Sequence, residues 1–366
     1  MKYLLSKEEK GLILLLRLAI GTSETANFLH EGIDWEKLFK LSVNHGVNAI
    51  AIDGLEKVGL SNIGIKDIPQ KLRQQILRCI GLSLKIEINY DRKLLLVEKL
   101  VKLWRKHGIR TIALKGFVTC QYYPNPKHRP FCDFDCFLCG DFEKGNEVIR
   151  KKGIEVKGSY KHKTFDIECL HVENHQYCTH FRGNDKARSF EKLLENQMLA
   201  ECPLYIKDTQ LEIPTPMFNA LFMVWHTRSH FFDEKVSLRQ LLDWALLMNF
   251  YKQDGLDWNE FQRICKMYGL LRFAQAMTRL ACKCFAVEGF FSCEANDEDD
   301  DALLRDIFSN DHIHVQYGTG MKARMQILKN KLKYNWKYQR FSDQSVFGAL
   351  WQQVKGVLSE KDPILN

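Results

Sequence analysis

Apolar residues recur at intervals of three and four along the first hundred positions, which is the spacing of amphipathic helices. Ser6 precedes Glu9 by three positions just before the first apolar face, a pattern typical of a capping box at a helix start. The stretch from 68 to 108 keeps helical spacing for longer than an ordinary helix. We therefore predict an N-terminal helical region over residues 1–105, with a bend or break of its longest stretch near Gly81.

From residue 108 the pattern becomes shorter and alternates. Runs of β-branched, aromatic and apolar residues predict strands in GIRTIALKG, FCDFDCFL, IEVKGSY, FDIECL and HVENHQYCTHF. Between them, FVTCQYYPNP predicts a short helix, and DFEKGNEVIRKKG predicts a helix that ends at Gly153. Helices and strands that alternate in this way predict a small α/β domain over residues 106–200.

Helical spacing returns from about residue 214, which predicts a C-terminal helical domain over residues 201–366. Its acidic run EANDEDDD (294 to 301) predicts a solvated helix start or loop. Its basic run from Lys322 to Arg340 carries interleaved aromatic residues, which indicate either a nucleic-acid surface or a solvated helix packing its aromatics on the core. The fold class expected for the whole chain is α+β, a small mixed sheet flanked by helical regions.

The composition supports a folded protein, because 45% of the 366 residues are hydrophobic and 11% are aromatic. The net charge of +8 fits an anionic partner such as a nucleotide or nucleic acid. Charged residues precede the first apolar run and Arg17 interrupts it, so we expect no signal peptide, no membrane span and a cytoplasmic location. The twelve cysteines lack the paired spacing of a zinc ribbon, and we expect reduced thiols.

The run RPFCDFDCFLCG places Asp133 and Asp135 one residue apart in a predicted strand. Side chains alternate along a strand, so the two aspartates share one face with β-carbons about 7 Å apart. The opposite face, turned toward a core, then carries Cys132, Phe134 and Cys136. Two carboxylates on one face repel each other unless a cation lies between them, and oxygen ligands select Mg²⁺ or Mn²⁺. For the pair taken alone, the alternative is an edge strand whose aspartates face water or pair with Arg129 and lysines.

An earlier predicted strand ends in Lys115 and Gly116 and opens a helix. Gly116 lets the backbone come close to a phosphate, the helix start offers N–H groups, and Lys115 supplies a positive charge. A Lys-Gly of this kind, followed by D-x-D on the next strand, is similar to the layout of polymerase-β-like nucleotidyltransferases.

Together these segments resemble the uncharacterised nucleotidyltransferase family of bacteria. The hallmark of that family is LKG, then YP-x-P-x-x-R, then D-x-D, and it matches ALKG and YYPNPKHRPFCDFDCFL here. Downstream, HKTF and HVENH are similar to the family's histidine followed by V-E-x-H, and WHTRSHFFDEKVSLRQLLDWALLM resembles its histidine pair before L-R-x-L-x-D. The resemblance covers residues 106 to 250 and implies a polymerase-β-like nucleotidyltransferase domain between helical flanks. The wider superfamily usually has Gly-Ser where this chain has Lys-Gly.

The resemblance implies a third carboxylate on a later strand, at Glu173, with Asp166 and Glu168 as rivals. Asp133, Asp135 and Glu173 would be the catalytic residues and would bind Mg²⁺ (or Mn²⁺), with Glu173 able to accept a hydroxyl proton. The implied enzyme transfers a nucleoside monophosphate from an NTP to a hydroxyl group and releases pyrophosphate. RNA, a protein and a small molecule remain open as acceptors, and the oligomeric state is open. The alternatives are an inactive nucleotide- or RNA-binding protein on the same fold and a protein-interaction module.

The predicted nucleotide-binding residues are Lys115, Gly116, Arg129 and His175. Arg129 has two interpretations, since it could contact the triphosphate or pair with a carboxylate. His162 and His175 could line the site or be structural histidines with satisfied hydrogen bonds. His226 and His230 lie one helical turn apart, and we interpret them as a polar cluster facing the nucleotide domain rather than a metal site.

Overall fold

The middle of the chain forms a seven-stranded mixed sheet in the computed structural model, which describes residues 3–24, 32–57, 70–180, 184–199, 203–309, 329 and 331–351. The strand order is β3–β4–β5–β2–β1–β7–β6. The strands are β1 (Ile112–Leu114), β2 (Asp133–Phe137), β3 (Lys157–Gly158), β4 (His162–Ile167), β5 (Leu170–His175), β6 (Leu204–Tyr205) and β7 (Glu212–Ile213). The pairs β2–β5 and β1–β7 are parallel, and the other neighbouring pairs are antiparallel.

In the part of the chain that the structure describes, the helices before the sheet are α1 (Lys7–Ile20), α2 (Trp35–Asn44), α3 (Asn48–Lys57) and α4 (Gln70–Lys106). The capping box predicted at the start of α1 is present, because the side chain of Ser6 accepts from the Glu9 backbone and the side chain of Glu9 accepts from the Ser6 backbone. The break expected near Gly81 is absent, and α4 continues through that residue for 37 residues in all. Gly81 lies on the exposed side of α4. The other side of this helix carries buried core residues such as Val97 and Trp104.

Helices also lie between and after the strands. Those within the sheet region are α5 (Gly116–Cys120), α6 (Phe142–Arg150) and α7 (Asp185–Met198). Those that follow it are α8 (Pro216–Asp233), α9 (Leu238–Tyr251), α10 (Trp258–Met267), α11 (Leu271–Phe285), α12 (Asp297–Phe308) and α13 (Asn335–Phe341). The predicted α+β class, a mixed sheet with helical flanks, is confirmed.

The predicted division into three parts stays a prediction. Strands β6 and β7 belong to the sheet although they lie beyond residue 200, so a boundary after residue 213 would keep the sheet whole. Buried apolar residues form a continuous core that includes members of α1, the sheet and α11. None of the described helices is long and apolar enough to cross a membrane.

The two charged runs differ from the solvated surfaces we expected. The acidic run does start a helix, α12, but Asp299 is fully buried and forms an ion pair with Arg272. In the basic run, Lys337 is also buried, and its ammonium group lies 2.8 Å from the carboxylate of Asp306. Tyr338 and Phe341 are buried as well, which agrees with the alternative of a helix that packs its aromatics on the core, while Lys322 and Arg324 lie outside the described residues.

Candidate active site

The register of two parallel strands brings three carboxylates together. In the pairing of β2 with β5, Asp135 lies opposite Glu173. The carboxylates of Asp133, Asp135 and Glu173 each offer one oxygen, and these atoms lie within 4.8 Å of one another. The structure therefore gathers the predicted acidic residues, whereas the rival Asp166 faces outward on β4 and contacts His171.

Alternation along β2 separates this acidic face from the core. Phe134 and Cys136 are almost fully buried on the opposite face, as predicted. The prediction for Cys132 is wrong, since this cysteine precedes the strand and is exposed. Strand alternation applies only within the five residues that form β2.

Asp135 is the most buried of the three carboxylates and has two cationic partners. Its Oδ1 lies 3.0 Å from Nζ of Lys115 and 2.8 Å from Nε2 of His175. Burial alone would raise the pKa of this carboxyl group, but Lys115 and His175 hold the pKa well below its usual value. These two cations therefore favour the ionised form of the buried Asp135 carboxylate.

His175 contacts two of the three carboxylates from the buried side of the site. Its Nε2 lies 3.4 Å from Glu173 as well as close to Asp135, and its Nδ1 lies 3.2 Å from the backbone oxygen of Tyr177. Burial lowers the pKa of His175, but the hydrogen bonds to Asp135 and Glu173 raise it overall. The hydrogen bond from His175 is also the main cause of the lowered pKa of Glu173. Both ring nitrogens face acceptors, which fits an imidazolium that carries two protons.

Asp133 has no comparable compensation. Burial raises the pKa of its carboxyl group, and the charges of Asp135 and Glu173 raise it further. Of the three carboxylates, Asp133 is thus the one whose ionised form is disfavoured. A bound cation would relieve its repulsion from Asp135 and Glu173. Three carboxylates with only oxygen donors fit Mg²⁺ or Mn²⁺, so the residues present suit the ion that the sequence suggested.

Lys115 and Gly116 form the edge of the acidic group at the start of α5. Lys115 has a positive φ of 43°, which is uncommon for a residue with a side chain, and it lies at the N-cap position. A β-carbon on Gly116 would lie 3.4 Å from the backbone oxygen of Asp133 and 3.4 Å from the ring of Phe131. The strand that carries D-x-D therefore passes directly beside this glycine.

A cleft of about 850 Å³ opens over the acidic group. One wall carries Asp133, Asp135 and Glu173 together with Lys115, and the other comes from α8 and α9. In α8, the ring of Phe222 stacks against the rings of Trp225 and His226 at interplanar angles of 11° and 12°. The cleft thus has an acidic side and an aromatic side.

Arg129 pairs with a carboxylate, which is the second of the two interpretations given above. Its guanidinium group donates to both carboxylate oxygens of Asp243 in α9, at 2.9 and 2.8 Å, and both side chains are buried. Arg129 still lines the cleft, so the prediction that it binds nucleotide stays a prediction. His175 is buried behind the carboxylates, and its predicted contact with nucleotide also stays a prediction.

The other histidines lie around the cleft in different environments. The rings of His226 and His230 are 4.5 Å apart and line the cleft, which agrees with a polar cluster that faces the sheet domain. Burial lowers the pKa of His226 well below its usual value. The ring of His162 lies 5.2 Å from that of His175, and its buried Nδ1 lacks a hydrogen-bond partner among the described residues.

Among the residues of this cleft that sequence analysis did not single out is Lys161. It lies just before β4 and lines the cleft together with Glu173. Its position follows from the pairing of β4 with β5, and in the sequence it is one lysine among several in YKHKTF. Charge alone could not have distinguished it from Lys163.

Three clustered carboxylates beside a Lys-Gly turn define an acidic site in a cleft, with oxygen donors close enough together to hold a metal ion. The family described as uncharacterised nucleotidyltransferase matches residues 31–286. Because the match covers more than half of the chain, this protein belongs to that family, and the resemblance drawn from the motifs is confirmed.

Similarity to other known proteins is remote. A crystal structure of an antigenic nucleotidyltransferase-like protein from Paracoccidioides brasiliensis is similar over 50% of this chain and 93% of that chain, with 11% identity and a TM-score of 0.32. Similarity at that level supports no argument about activity. The curated proteins contain no match to this chain.

Proposed function

We propose that this protein is a nucleotidyltransferase that moves a nucleoside monophosphate from an NTP to a hydroxyl group of an acceptor. The observation that supports the proposal is the convergence of Asp133, Asp135 and Glu173 in one cleft beside Lys115 and Gly116. The family to which the chain belongs supports the same class of reaction.

The three carboxylates are the residues that would hold Mg²⁺ or Mn²⁺. Bound divalent ions would supply neutralisation of phosphate charge and a lower pKa for the attacking hydroxyl group. His175 fixes the positions of Asp135 and Glu173, because its Nε2 contacts both carboxylates. The chain thereby provides an oriented set of oxygen donors.

We assign the acceptance of the hydroxyl proton to Glu173, as the family resemblance implies. Its side chain is 22% exposed, whereas Asp135 is only 2% exposed and already has two cationic partners. In the transfer, a bond forms between the acceptor oxygen and the α-phosphorus, and the bond from the α-phosphorus to the bridging oxygen breaks. Pyrophosphate leaves with that electron pair, and Glu173 takes the hydroxyl proton.

Gly116 and Lys115 would meet the phosphates at the start of α5. A β-carbon on Gly116 would make only ordinary van der Waals contact with Asp133 and Phe131, and its absence leaves the backbone open to a phosphate. Arg129 and His175 would mainly position other groups. Arg129 does so through its contact with Asp243, and His175 through its contacts with the carboxylates.

One observation favours a second candidate, a nucleotide-binding protein without catalytic activity. Nζ of Lys115 already lies 3.0 Å from Asp135 and provides a positive charge inside the acidic group. A lysine in this position could replace part of the role of a metal ion. Metal-dependent transfer separates the two candidates.

The test is transfer from each labelled NTP, with Mg²⁺ or Mn²⁺, to RNA, protein and small-molecule acceptors. We expect transfer by the wild-type protein and its loss in Asp133→Asn. The matched control is Asp166→Asn, which changes an exposed carboxylate of the same sheet and should leave transfer intact. Nucleotide binding without transfer to any acceptor would favour the second candidate, and failure to bind both nucleotide and metal would refute the first.

A further inference from the structure

A nucleoside triphosphate would bring strong negative charge into a cleft that already contains three carboxylates. Cationic side chains that line the cleft must therefore meet the phosphates. The cations concerned are Lys115, Arg129, Lys161, Lys235 and Arg239. Their existing contacts and their positions relative to the three carboxylates distinguish them.

Most of these cations already have acceptor partners within the protein. Lys115 pairs with Asp135, and Arg129 is held by both oxygens of Asp243. Lys235 donates to the backbone oxygen of Ser309 at 3.2 Å. Arg239 likewise donates to the backbone of the loop before β2, through the oxygen of Pro130 at 3.2 Å.

Lys161 differs from them in its position beside the acidic centre. The charges that act on its ammonium group include those of Lys115, Glu173 and Asp135. Among the described residues, no carboxylate lies within salt-bridge distance of Lys161, and its Nζ lies 5.9 Å from the ring centre of Trp225. Burial, with Lys115 as a second cause, lowers the pKa of Lys161, so its surroundings favour the approach of an anion.

The backbone of Lys161 is fixed by the end of β5. Its carbonyl oxygen accepts from the backbone N–H groups of Gln176 and Tyr177, at 2.9 and 3.1 Å. Its own N–H donates to the hydroxyl oxygen of Ser159 at 3.3 Å. The lysine thus extends from a fixed position at the end of the two strands that position Glu173.

We propose that Lys161 binds the β- and γ-phosphates of the nucleotide and makes the site selective for triphosphates. The inference rests on the proposed function, since it assigns a residue to the leaving group of that reaction. The ammonium group would donate hydrogen bonds to the pyrophosphate, which departs with the electron pair of the broken bond. No proton transfer from Lys161 is required.

The experiment compares nucleotides that differ only in phosphate number. Equilibrium binding with Mg²⁺ is first measured for ATP, GTP, CTP and UTP, and then for the diphosphate and monophosphate of the tightest binder. In Lys161→Gln we expect a loss of about tenfold to a hundredfold in triphosphate affinity, as for one charge-assisted contact. Monophosphate affinity should change less than about twofold, and Lys161→Arg should retain most of the triphosphate affinity.

The matched control is Lys163→Gln. Lys163 lies on β4 opposite Asn174, whose side chain bonds to Asn146 on the α6 side of the sheet. We expect this variant to bind every nucleotide like the wild-type protein. Thermal melting of each variant shows whether a lost affinity reflects lost folding.

The outcomes separate this inference from the proposed function. If the wild-type protein binds and transfers nucleotide while Lys161→Gln keeps its triphosphate affinity, the role of Lys161 is refuted and the enzyme remains. An equal loss of monophosphate and triphosphate affinity also refutes it, because Lys161 would then affect parts of the site other than the positions of the β- and γ-phosphates. If the wild-type protein binds no nucleotide, both proposals fail.

Discussion

Arg129 and Asp243 form a buried ion pair in which two guanidinium N–H groups meet the two carboxylate oxygens. The hydroxyl group of Tyr123 donates a third hydrogen bond to the same carboxylate, at 2.6 Å. The pair joins the loop before β2 to helix α9 and raises the pKa of Arg129 still further. The Y-P-x-P-x-x-R motif therefore anchors the strand of the two aspartates to the C-terminal helices.

Asp243→Ala should strongly destabilise the protein. Removal of this carboxylate leaves the buried guanidinium of Arg129 without its counter-charge, which typically costs about 3–5 kcal/mol. Urea unfolding measures the change in the free energy of unfolding. Glu260→Ala is the control, since it breaks an exposed pair with Arg263 and should cost less than about 1 kcal/mol. A cost for Asp243→Ala as small as that of the control would contradict the anchoring role.

Asp133→Asn should remove metal binding while making the metal-free protein more stable. The substitution eliminates a carboxylate that Asp135 and Glu173 repel, so we expect a gain of about 0.5–1 kcal/mol. Wild-type melting should shift upward with Mg²⁺ because the ion binds the folded state, and the variant should lose that shift. Melting curves with Mg²⁺ and with a chelator measure both effects. An unchanged Mg²⁺ shift in the variant would exclude Asp133 as a ligand.

His128 should make the stability depend on pH. Its Nδ1 lies 2.7 Å from Asp53 and its Nε2 lies 2.6 Å from Glu87, so both ring nitrogens need protons. Burial lowers the pKa of His128, but these two carboxylates raise it overall. The stabilisation is then complete below the unfolded pKa of about 6.5, and it is lost as the pH rises through the higher pKa of the folded state.

The variant His128→Gln measures this contribution through urea unfolding at pH 5.5 and pH 9. We expect it to cost about 1–3 kcal/mol at the lower pH and clearly less at the higher pH. His171→Gln provides the control, because that histidine is exposed and contacts only Asp166 among the carboxylates of the described residues. Equal costs for His128→Gln at both pH values would count against a charged His128 bridge.

Alanine substitutions at two helical glycines should change the stability of the protein in opposite directions. At Gly54 in α3, a β-carbon would overlap the backbone of Leu15 in α1, and backbone atoms cannot move aside easily. Gly54→Ala should cost about 1–3 kcal/mol despite its better helix propensity. At Gly81 in α4 nothing lies within 4 Å of the added atom, so Gly81→Ala should stabilise by about 0.5–1 kcal/mol. Thermal unfolding of both variants tests the pair, and destabilisation by Gly81→Ala would argue against a continuous α4.

The sequence alone determined the features that depend on neighbouring residues. The capping box of Ser6 and Glu9 needs only one helical turn, and the shared face of Asp133 and Asp135 needs only the alternation of a strand. The motif order from LKG to D-x-D likewise indicated the family before any contact was known. Where a local rule was extended too far, as at Cys132 outside β2, the prediction failed.

Only the tertiary structure decided the contacts between distant segments. The parallel register that sets Asp135 opposite Glu173 depends on which strand lies beside β2. The pairing of Arg129 with Asp243 spans 114 positions, and the burial of Asp299 requires Arg272 from another helix. Lys161 became distinct from Lys163 only through its position, because it lines the cleft while Lys163 lies on β4 opposite Asn174. Such contacts are fixed by burial of the whole chain, because a charged residue enters the interior only where packing supplies its partner.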